Sequence, residues 1–305
     1  MHGKKRVSEY RVVVTSFLVD LLDVFLNLTV ALLTGSVVML SEFFQGIADL
    51  TSAGFLLIGH KKSDKKPDKL HPFGYGKEIY FWTLISAIVM MTLTATASIH
   101  TGWNRYLNPQ EIAHIEFGFV ALFIALITNG YSLSLSISRL LDGKSINHLP
   151  DIFINSNSVA TKNAFVLDLM GTLAASGGLI SLTLYQLTGE SRFDSIGAMV
   201  IGVMTALLAF ILIIGVKGFL VGKRATPDIE RKIKEVTLMT HEVREVLDLR
   251  TMQIGSDQLL VNMEVHMQNM LTTDQLEKLI DEIKEHVRRE VPSIQHVQVE
   301  LEAPE

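Results

Sequence analysis

The chain contains no cysteine among its 305 residues. This absence excludes a disulfide framework, a thiolate zinc site and a cysteine nucleophile. Any bound metal must therefore be held by aspartate, glutamate, histidine, asparagine or glutamine. The absence of cysteine is compatible with either an oxidising or a reducing compartment.

Charged residues are also scarce, at 19% of the chain, whereas hydrophobic residues make up 48%. A soluble domain of ordinary composition carries about one quarter charged residues. We infer that the surplus of apolar residues faces lipid. The sequence also contains no paired nucleophile and base, no phosphate loop and no nucleotide fingerprint, so we do not expect an enzyme.

Six apolar segments are each long enough to cross about 30 Å of hydrocarbon. They lie near residues 12–34, 37–59, 78–101, 115–139, 159–186 and 194–217. Because a segment inside a bilayer must satisfy its own backbone hydrogen bonds, each is predicted to be a helix. The sequence thus predicts an all-α membrane bundle of six helices, the first two joined by a tight turn at Gly35 and Ser36.

The basic residues lie in alternate connections between these spans. The second connection carries five lysines: Lys61, Lys62, Lys65, Lys66 and Lys69. The opposite connections carry Arg105 and Arg192 and little else. By the positive-inside rule we expect both termini in the cytoplasm and a multi-pass protein of the cell membrane.

The pattern changes after Gly222 from continuous apolar runs to amphipathic, charged elements. We therefore predict a membrane domain at 1–221 and a cytoplasmic domain at 222–305. The predicted elements of the second domain are a helix at 227–240, strands at 247–254 and 258–267, a helix from Thr272 to Pro292 and a strand at 297–301. The order αββαβ is typical of a two-layer, ferredoxin-like α+β domain.

Charged and amide side chains inside the spans are candidates for function, because they are costly in lipid and face a bundle interior or a cavity. On the second span Glu42, Gln45 and Asp49 share one helical face by their spacing of i, i+3 and i+7. The first span repeats that spacing with an acid, a second acid and an amide: Asp20, Asp23 and Asn27. The first-span stripe either pairs with a neighbouring helix or takes part in function.

The fifth span contains a single acid, Asp168, with Asn163 just over one turn before it. An unpartnered carboxylate at this depth is costly or takes up a proton, which favours a functional role. The serines at alternate positions from Ser132 to Ser138 are interpreted as small residues that allow helix packing.

The second connection contains the segment DKLHPFGYGKE, in which Asp68 and His71 lie three residues apart. Such a pair can share a metal ion on a helix or turn. The alternative is that both belong to a solvated, lysine-rich surface.

Four ordered segments carry a resemblance to a known family: TGSVVMLSEFFQGIADL, HPFGYGKE, FDSIGAMVIGVMTALLAF and LDLRTMQIGSDQLLV. Together they resemble the cation diffusion facilitator family over nearly the whole chain. The resemblance implies a homodimer that moves a divalent metal cation out of the cytoplasm in exchange for protons. It implies no cofactor apart from the transported ion, which is manganese, iron, magnesium, cobalt or zinc, and no nucleic-acid partner.

The resemblance also implies a transport site between the second and fifth spans. Each span supplies two ligand positions four residues apart, here Gln45 with Asp49 and Ala164 with Asp168. Gln45 and Ala164 replace the usual histidine or aspartate. The donor missing at Ala164 is supplied by Asn163, by water or by Asp23.

Two further metal sites of the family are altered in this chain. In the loop, Asp68 and His71 match family ligands, but Tyr75 replaces a common histidine. In the soluble domain, the metal-binding histidines map onto Leu247, Glu264 and Glu300, while Glu302 keeps an acid. An alternative there is a hard ion held by Glu264, His266 and Glu300.

A transport site without histidine favours a hard cation such as manganese, magnesium or iron over zinc. Asp49 and Asp168 are predicted to bind metal and protons in competition. The rival interpretation is a transport-silent relative, a membrane scaffold or regulatory partner, that lost transport with the ligand at Ala164.

Overall fold

The computed structural model describes residues 9–141, 143, 145–155, 159–256 and 258–303, and the side chains of these except at 9–20, 154–155 and 159–160. Contacts divide the chain into two units. The first comprises the chain up to Ile58, with Trp82–Pro150 and Ala160–Ile214. The second comprises Gly59–Phe81, Asp151–Val159 and the chain from Gly215 onward. The predicted domain boundary at 221 and 222 stays a prediction.

Helices occupy all six predicted spans. Helices α1 and α2 are Glu9–Thr34 and Val37–Ser63. Helix α3 has three consecutive parts, which are Glu78–Val89, a π-helical segment Met90–Ala95, and Thr96–Leu107. The remaining helices are α4 (Ile115–Leu141), a short α5 (Leu149–Asn155), α6 (Val159–Thr188) and α7 (Arg192–Val221). The predicted helical membrane region is confirmed.

Within the described part of the chain, four helical stretches are long and apolar enough to cross a membrane: Glu78–Leu107, Ile115–Leu141, Thr161–Thr188 and Arg192–Val221. Helix α1 contributes a shorter apolar stretch, Leu21–Thr34. Helix α2 is not among the four, and the polar residues of its middle turns lower its hydropathy. Helix α2 therefore gives up apolar surface to polar side chains.

The turn between α1 and α2 is tied to the start of α7. Gly35 forms the turn with a φ of +68°. The carboxylate of Asp194 accepts hydrogen bonds from Ser36 Oγ at 2.5 Å, Val37 N at 2.7 Å and Val38 N at 3.2 Å. The first amide groups of a helix have no partner within it, and a carboxylate there also complements the helix dipole. Asp194 thus caps α2 and joins it to α7.

The second unit contains the elements predicted for the soluble domain. They are α8 (Pro227–Leu238), β1 (Val243–Gly255), β2 (Gln258–Met267), α9 (Thr273–Glu290) and β3 (Ile294–Leu301). The strands lie in the order β1, β2, β3, with β1 antiparallel and β3 parallel to β2. The predicted αββαβ domain is confirmed.

Alternation along β2 builds the core of this domain. Every second residue of β2, from Leu259 to Met267, is buried and packs with Ile283 and Val287 of α9. The predicted capping box is present at the start of α9, where Thr272 and Gln275 bond each other reciprocally. Strand β1 begins at Val243, earlier than the predicted residue 247, because Val243 already pairs with Met267.

The HPFGYGKE loop packs within the second unit. Tyr80 Oη donates a hydrogen bond to the carbonyl of Gly255 at 2.7 Å, and the ring of Phe73 lies edge-on to His296 at 5.1 Å. A Cβ at Gly76 would lie 2.5 Å from the carbonyl oxygen of Ile254. The glycine is therefore required by close approach of the backbone.

Candidate metal site

Polar side chains from three helices line a cavity of about 340 Å³ in the first unit. They are Asp23 of α1, Glu42, Gln45 and Asp49 of α2, and Thr128, Asn129 and Ser132 of α4. The three α2 residues thus share one face, in agreement with their spacing. None of the described residues that line the cavity is basic.

Two buried oxygens on α2 lack hydrogen-bond partners among the described residues. Gln45 is 2% exposed and donates its Nε2 to Asp49 Oδ1 at 3.1 Å, which leaves its Oε1 unpartnered. Glu42 is 3% exposed, and its Oε1 is unpartnered as well. A buried polar atom without a partner is costly unless water or an ion satisfies it. Both oxygens therefore indicate a ligand in the cavity.

Helix α1 brings a third acid to this cavity, beside Glu42 and Asp49 of α2. Asp23 accepts a hydrogen bond from Asn27 Nδ2 at 3.0 Å and lies near enough to Glu42 for the two carboxylates to interact electrostatically. A Cβ at Gly46 would lie 2.9 Å from Val24 Cγ2, so glycine at this position lets α1 approach α2. The predicted side-chain role of Asp20 lies outside the described residues.

Asp168 of α6 is held by α4 instead of lining this cavity. Ser136 donates a hydrogen bond to Asp168 Oδ2, and Asp168 is not among the described residues around the cavity. The interpretation of the α4 serines as packing residues alone is incomplete, because Ser136 bonds Asp168 and Ser132 lines the polar cavity.

Sequence reasoning missed the polar stripe on α4. Asn129, Ser132 and Ser136 follow the spacing i, i+3 and i+7, the same signal that identified the α2 stripe. A Cβ at Gly171 would lie 2.7 Å from Asn129 Oδ1, so α6 lies against α4 at this level. The stripe joins the cavity of α2 to the carboxylate of Asp168.

Asn163 lies elsewhere in the bundle. It is fully buried and donates its Nδ2 to Ser52 Oγ at 3.2 Å; Ser52 also accepts a hydrogen bond from Ser86 Oγ at 2.7 Å. Ser52 lies one turn beyond Asp49 on α2. Asn163 is therefore near α2 but is not among the described residues that line the cavity, and its predicted role as the fourth ligand stays a prediction.

The π-helical segment of α3 lies beside α2 at the level of the cavity. Thr94 Oγ1, inside this segment, donates a hydrogen bond to the carbonyl of Phe44 at 3.3 Å. Such segments are often found at functional sites. Phe44 immediately precedes Gln45, so α3 supports the backbone that carries the candidate ligand.

In the DKLHPFGYGKE loop of the second unit, both carboxylate oxygens of Asp68 accept hydrogen bonds from nearby residues of the same loop. Its Oδ1 accepts the amides of Leu70 at 2.9 Å and His71 at 2.8 Å, and its Oδ2 accepts Tyr75 Oη at 2.7 Å. The hydrogen bond from Tyr75, together with these amides, lowers the pKa of Asp68, and the same bond raises the pKa of Tyr75. His71 Nδ1 lies 3.7 Å from Asp68 Oδ1. A metal on Asp68 and His71 would have to compete with these bonds.

In the αββαβ domain of the second unit, three acids oppose one another across the sheet. Asp248 pairs with Glu264, and Glu264 pairs with Glu300. Partial burial, followed by the nearby carboxylates of Glu302 and Asp248, raises the pKa of Glu264. Asp248 was missed from the sequence because its place opposite Glu264 depends on strand register. Among the described residues no group of three or more histidines and acids has metal-binding geometry.

The sequence profile of the cation efflux transmembrane domain matches residues 13–216, and that of the cation efflux protein cytoplasmic domain matches residues 225–304. The chain belongs to the cation efflux, or cation diffusion facilitator, family. The resemblance seen in the four sequence segments is thereby confirmed. So is the class of the molecule, a multi-pass membrane protein of a transporter family.

Three proteins from different organisms match most of this chain. The human proton-coupled zinc antiporter SLC30A9, mitochondrial, is 24% identical over 299 residues, which are 94% of this chain and 52% of that protein. The zinc transporter ZitB of Pectobacterium atrosepticum is 23% identical over 273 residues, 89% of this chain and 78% of ZitB. The magnetosome protein MamM of Magnetospirillum gryphiswaldense is 22% identical over 285 residues, 90% and 82% of the two chains.

The chain spans about half the length of the SLC30A9 proteins that it matches. Among solved structures, a MamM CTD variant in its nickel form is 23% identical and covers 26% of this chain and 98% of its own, with a TM-score of 0.24. The family ligand positions Gln45 and Asp49 lie on the polar cavity of this cation efflux protein, whereas Asp168 is joined to it through α4. The assignment of these residues as metal ligands stays a prediction.

Proposed function

We propose that this member of the cation efflux family exports a divalent metal cation from the cytoplasm in exchange for protons. The observation that supports the proposal best is the polar cavity on α2, where the buried Gln45 Oε1 has no partner among the described residues and Gln45 Nε2 is bonded to the Asp49 carboxylate. An amide oxygen and a carboxylate, with Asp23 and Glu42 lining the same cavity, favour binding of a cation. The protein acts as a homodimer in the cell membrane, with both termini in the cytoplasm.

Exchange follows from the use of the same carboxylates by metal and protons. Asp49 and Asp168 bind the ion when they are ionised and carry protons when the ion has left. Asp168 accepts a hydrogen bond from Ser136 in the present conformation. Binding of the ion between α2 and α6 would replace that bond by a bond to metal, so that occupancy changes the packing of α6 on α4. Alternating access at a mid-membrane site is the usual mechanism of secondary transporters.

We propose a hard cation, manganese, iron or magnesium, as the substrate. The cavity presents oxygen donors, whereas zinc sites generally include nitrogen or sulfur ligands. The names of SLC30A9 and ZitB specify zinc, so zinc is the competing candidate. Transport competition in liposomes at equal free ion concentrations decides between them. Zinc carried at least as fast as manganese and iron, with no further shift toward zinc in Gln45→His, would contradict the argument from ligand hardness.

A transport-silent scaffold or regulatory partner is the alternative, and the missing donor at Ala164 favours it. Metal-driven proton flux in liposomes distinguishes the two functions. Flux that is lost on changing Asp49 or Asp168 supports transport, and absence of flux with every divalent ion supports the alternative.

A further inference from the structure

The cavity contains more acceptor oxygens than the predicted transport site uses. Asp49 is the α2 carboxylate expected to join Asp168, yet Asp23 and Glu42 line the same space. Glu42 lies seven residues before Asp49, about 10 Å nearer the Val37 end of α2 at 1.5 Å per residue. Glu42, with Asp23 near it, therefore lies apart from Asp49, toward the Val37 end of α2.

Two acceptor oxygens in this part of the cavity, one from Glu42 and one from Gln45, lack hydrogen-bond partners among the described residues. Glu42 is almost completely buried, and its Oε1, like Gln45 Oε1, has no partner among the described residues. Asp23 interacts electrostatically with Glu42 across the space, and no basic side chain occurs among the described residues of the cavity wall. Two carboxylates and an amide oxygen without a compensating cation favour an external one.

The size of the cavity indicates how such an ion is held. Six water molecules at about 30 Å³ each take up about 180 Å³, and the cavity measures about 340 Å³. No three histidines or acids of the described chain are close enough to chelate a metal directly. The space therefore suits an ion that keeps its water shell and is bound through those waters, as Mg²⁺ and similar hard ions often are.

We propose that Asp23, Glu42 and Gln45 Oε1 form a second cation station, which holds a hydrated divalent cation beside the Asp49 and Asp168 site. This inference rests on the proposed export function and adds a step to it, the transfer of the ion between the two sites along α2. Gln45 belongs to both sites, because its Nε2 is bonded to Asp49 and its Oε1 is unpartnered.

The test measures Mn²⁺ binding to the full chain in detergent by electron paramagnetic resonance. The background is the double variant Asp49→Asn, Asp168→Asn, which disables the predicted transport site. Mn²⁺ is expected to bind this background, and Glu42→Gln or Asp23→Asn should weaken that binding about tenfold or more, as loss of a single supporting group at a metal site commonly does. Cobalt(III) hexaammine, which cannot lose its ligands, should displace the same Mn²⁺.

The matched control is Glu111→Gln, which makes the same change at an exposed acid outside the cavity and should leave binding unchanged. Mn²⁺ binding that persists undiminished in folded Glu42→Gln and Asp23→Asn, or that is absent from the background itself, would overturn the station. If Glu42→Gln fails to fold, Mn²⁺ binding by Asp23→Asn alone tests the proposal.

Transport assays separate this inference from the proposed function. If Asp49→Asn and Asp168→Asn abolish metal flux while Glu42→Gln transports and binds like the wild type, the station is refuted and export stands. If the wild type carries no ion but Glu42→Gln still removes Mn²⁺ binding, export is refuted and the station stands as a binding site.

Discussion

Replacement of Asp194 by alanine is expected to destabilise the membrane unit and to weaken metal binding at a distance. The carboxylate is 1% exposed and accepts three hydrogen bonds at the start of α2. Loss of a helix cap alone costs about 0.5–2 kcal/mol, and each buried donor left unpaired costs about 1–3 kcal/mol. Because the freed amides can partly rearrange, we expect a loss of about 3 kcal/mol.

This loss corresponds to a fall in Tm of about 6–12 °C by the scaling for domains of about 150–250 residues. Thermal unfolding of the full chain in detergent, followed by circular dichroism, measures it. The Tm of Asp194→Asn should lie between those of the wild type and Asp194→Ala, because asparagine keeps an acceptor oxygen but loses the charge. The matched control is Asp274→Ala, which removes an exposed acid from the first turn of α9.

Helix α2 carries Gln45 and Asp49, so freeing its end should also weaken Mn²⁺ binding of Asp194→Ala at temperatures where the protein remains folded. An Asp194→Ala protein whose Tm and Mn²⁺ affinity both match those of Asp274→Ala would refute the reasoning that Asp194 positions α2.

The remaining predictions concern transport, topology and pH. Asp49→Ala and Asp168→Ala should each abolish metal flux in liposomes yet leave a dimer on size-exclusion chromatography, since both are predicted ligands; near-normal flux in either would refute the site. A cysteine at Lys65 should escape an impermeant thiol reagent added to intact cells, because the lysine-rich loop is predicted to be cytoplasmic; labelling there would reverse the topology. Glu264→Gln should raise the Tm at pH 7. Folding raises the pKa of Glu264, so the stability of the wild type falls as pH rises above 4.5, the pKa of this carboxyl in the unfolded chain. Below pH 4 the carboxyl is protonated in both states, and no gain in Tm is expected. An equal Tm for both proteins at pH 7 would contradict the repulsion among the sheet acids.

Patterns within one element were predictable from the sequence. The spacing of Glu42, Gln45 and Asp49 placed them on a common face, and the alternation along β2 identified its buried side. The capping box at Thr272 was likewise evident, because its two partners are three residues apart. In each case the relevant contacts are local or follow the period of one helix or strand.

Features that depend on packing between elements were not predictable in this way. The hydrogen bond from Ser136 to Asp168 joins α4 to α6, and the pairing of Asp248 with Glu264 depends on strand register. Asn163 was expected near the ligand gap, but its side chain meets Ser52 and lies off the cavity wall. Such relations are fixed by helix rotation and strand pairing, which a single sequence does not specify.

The central claim is that metal and protons exchange at the carboxylates of the bundle. Its most direct test is proton flux from liposomes containing the purified protein and a pH-sensitive dye, after addition of Mn²⁺, Fe²⁺ or Mg²⁺ on one side. We expect protons to move in the direction opposite to the metal, and we expect this movement to be lost in both Asp49→Ala and Asp168→Ala. Metal uptake without proton movement, or undiminished exchange in both variants, would contradict it.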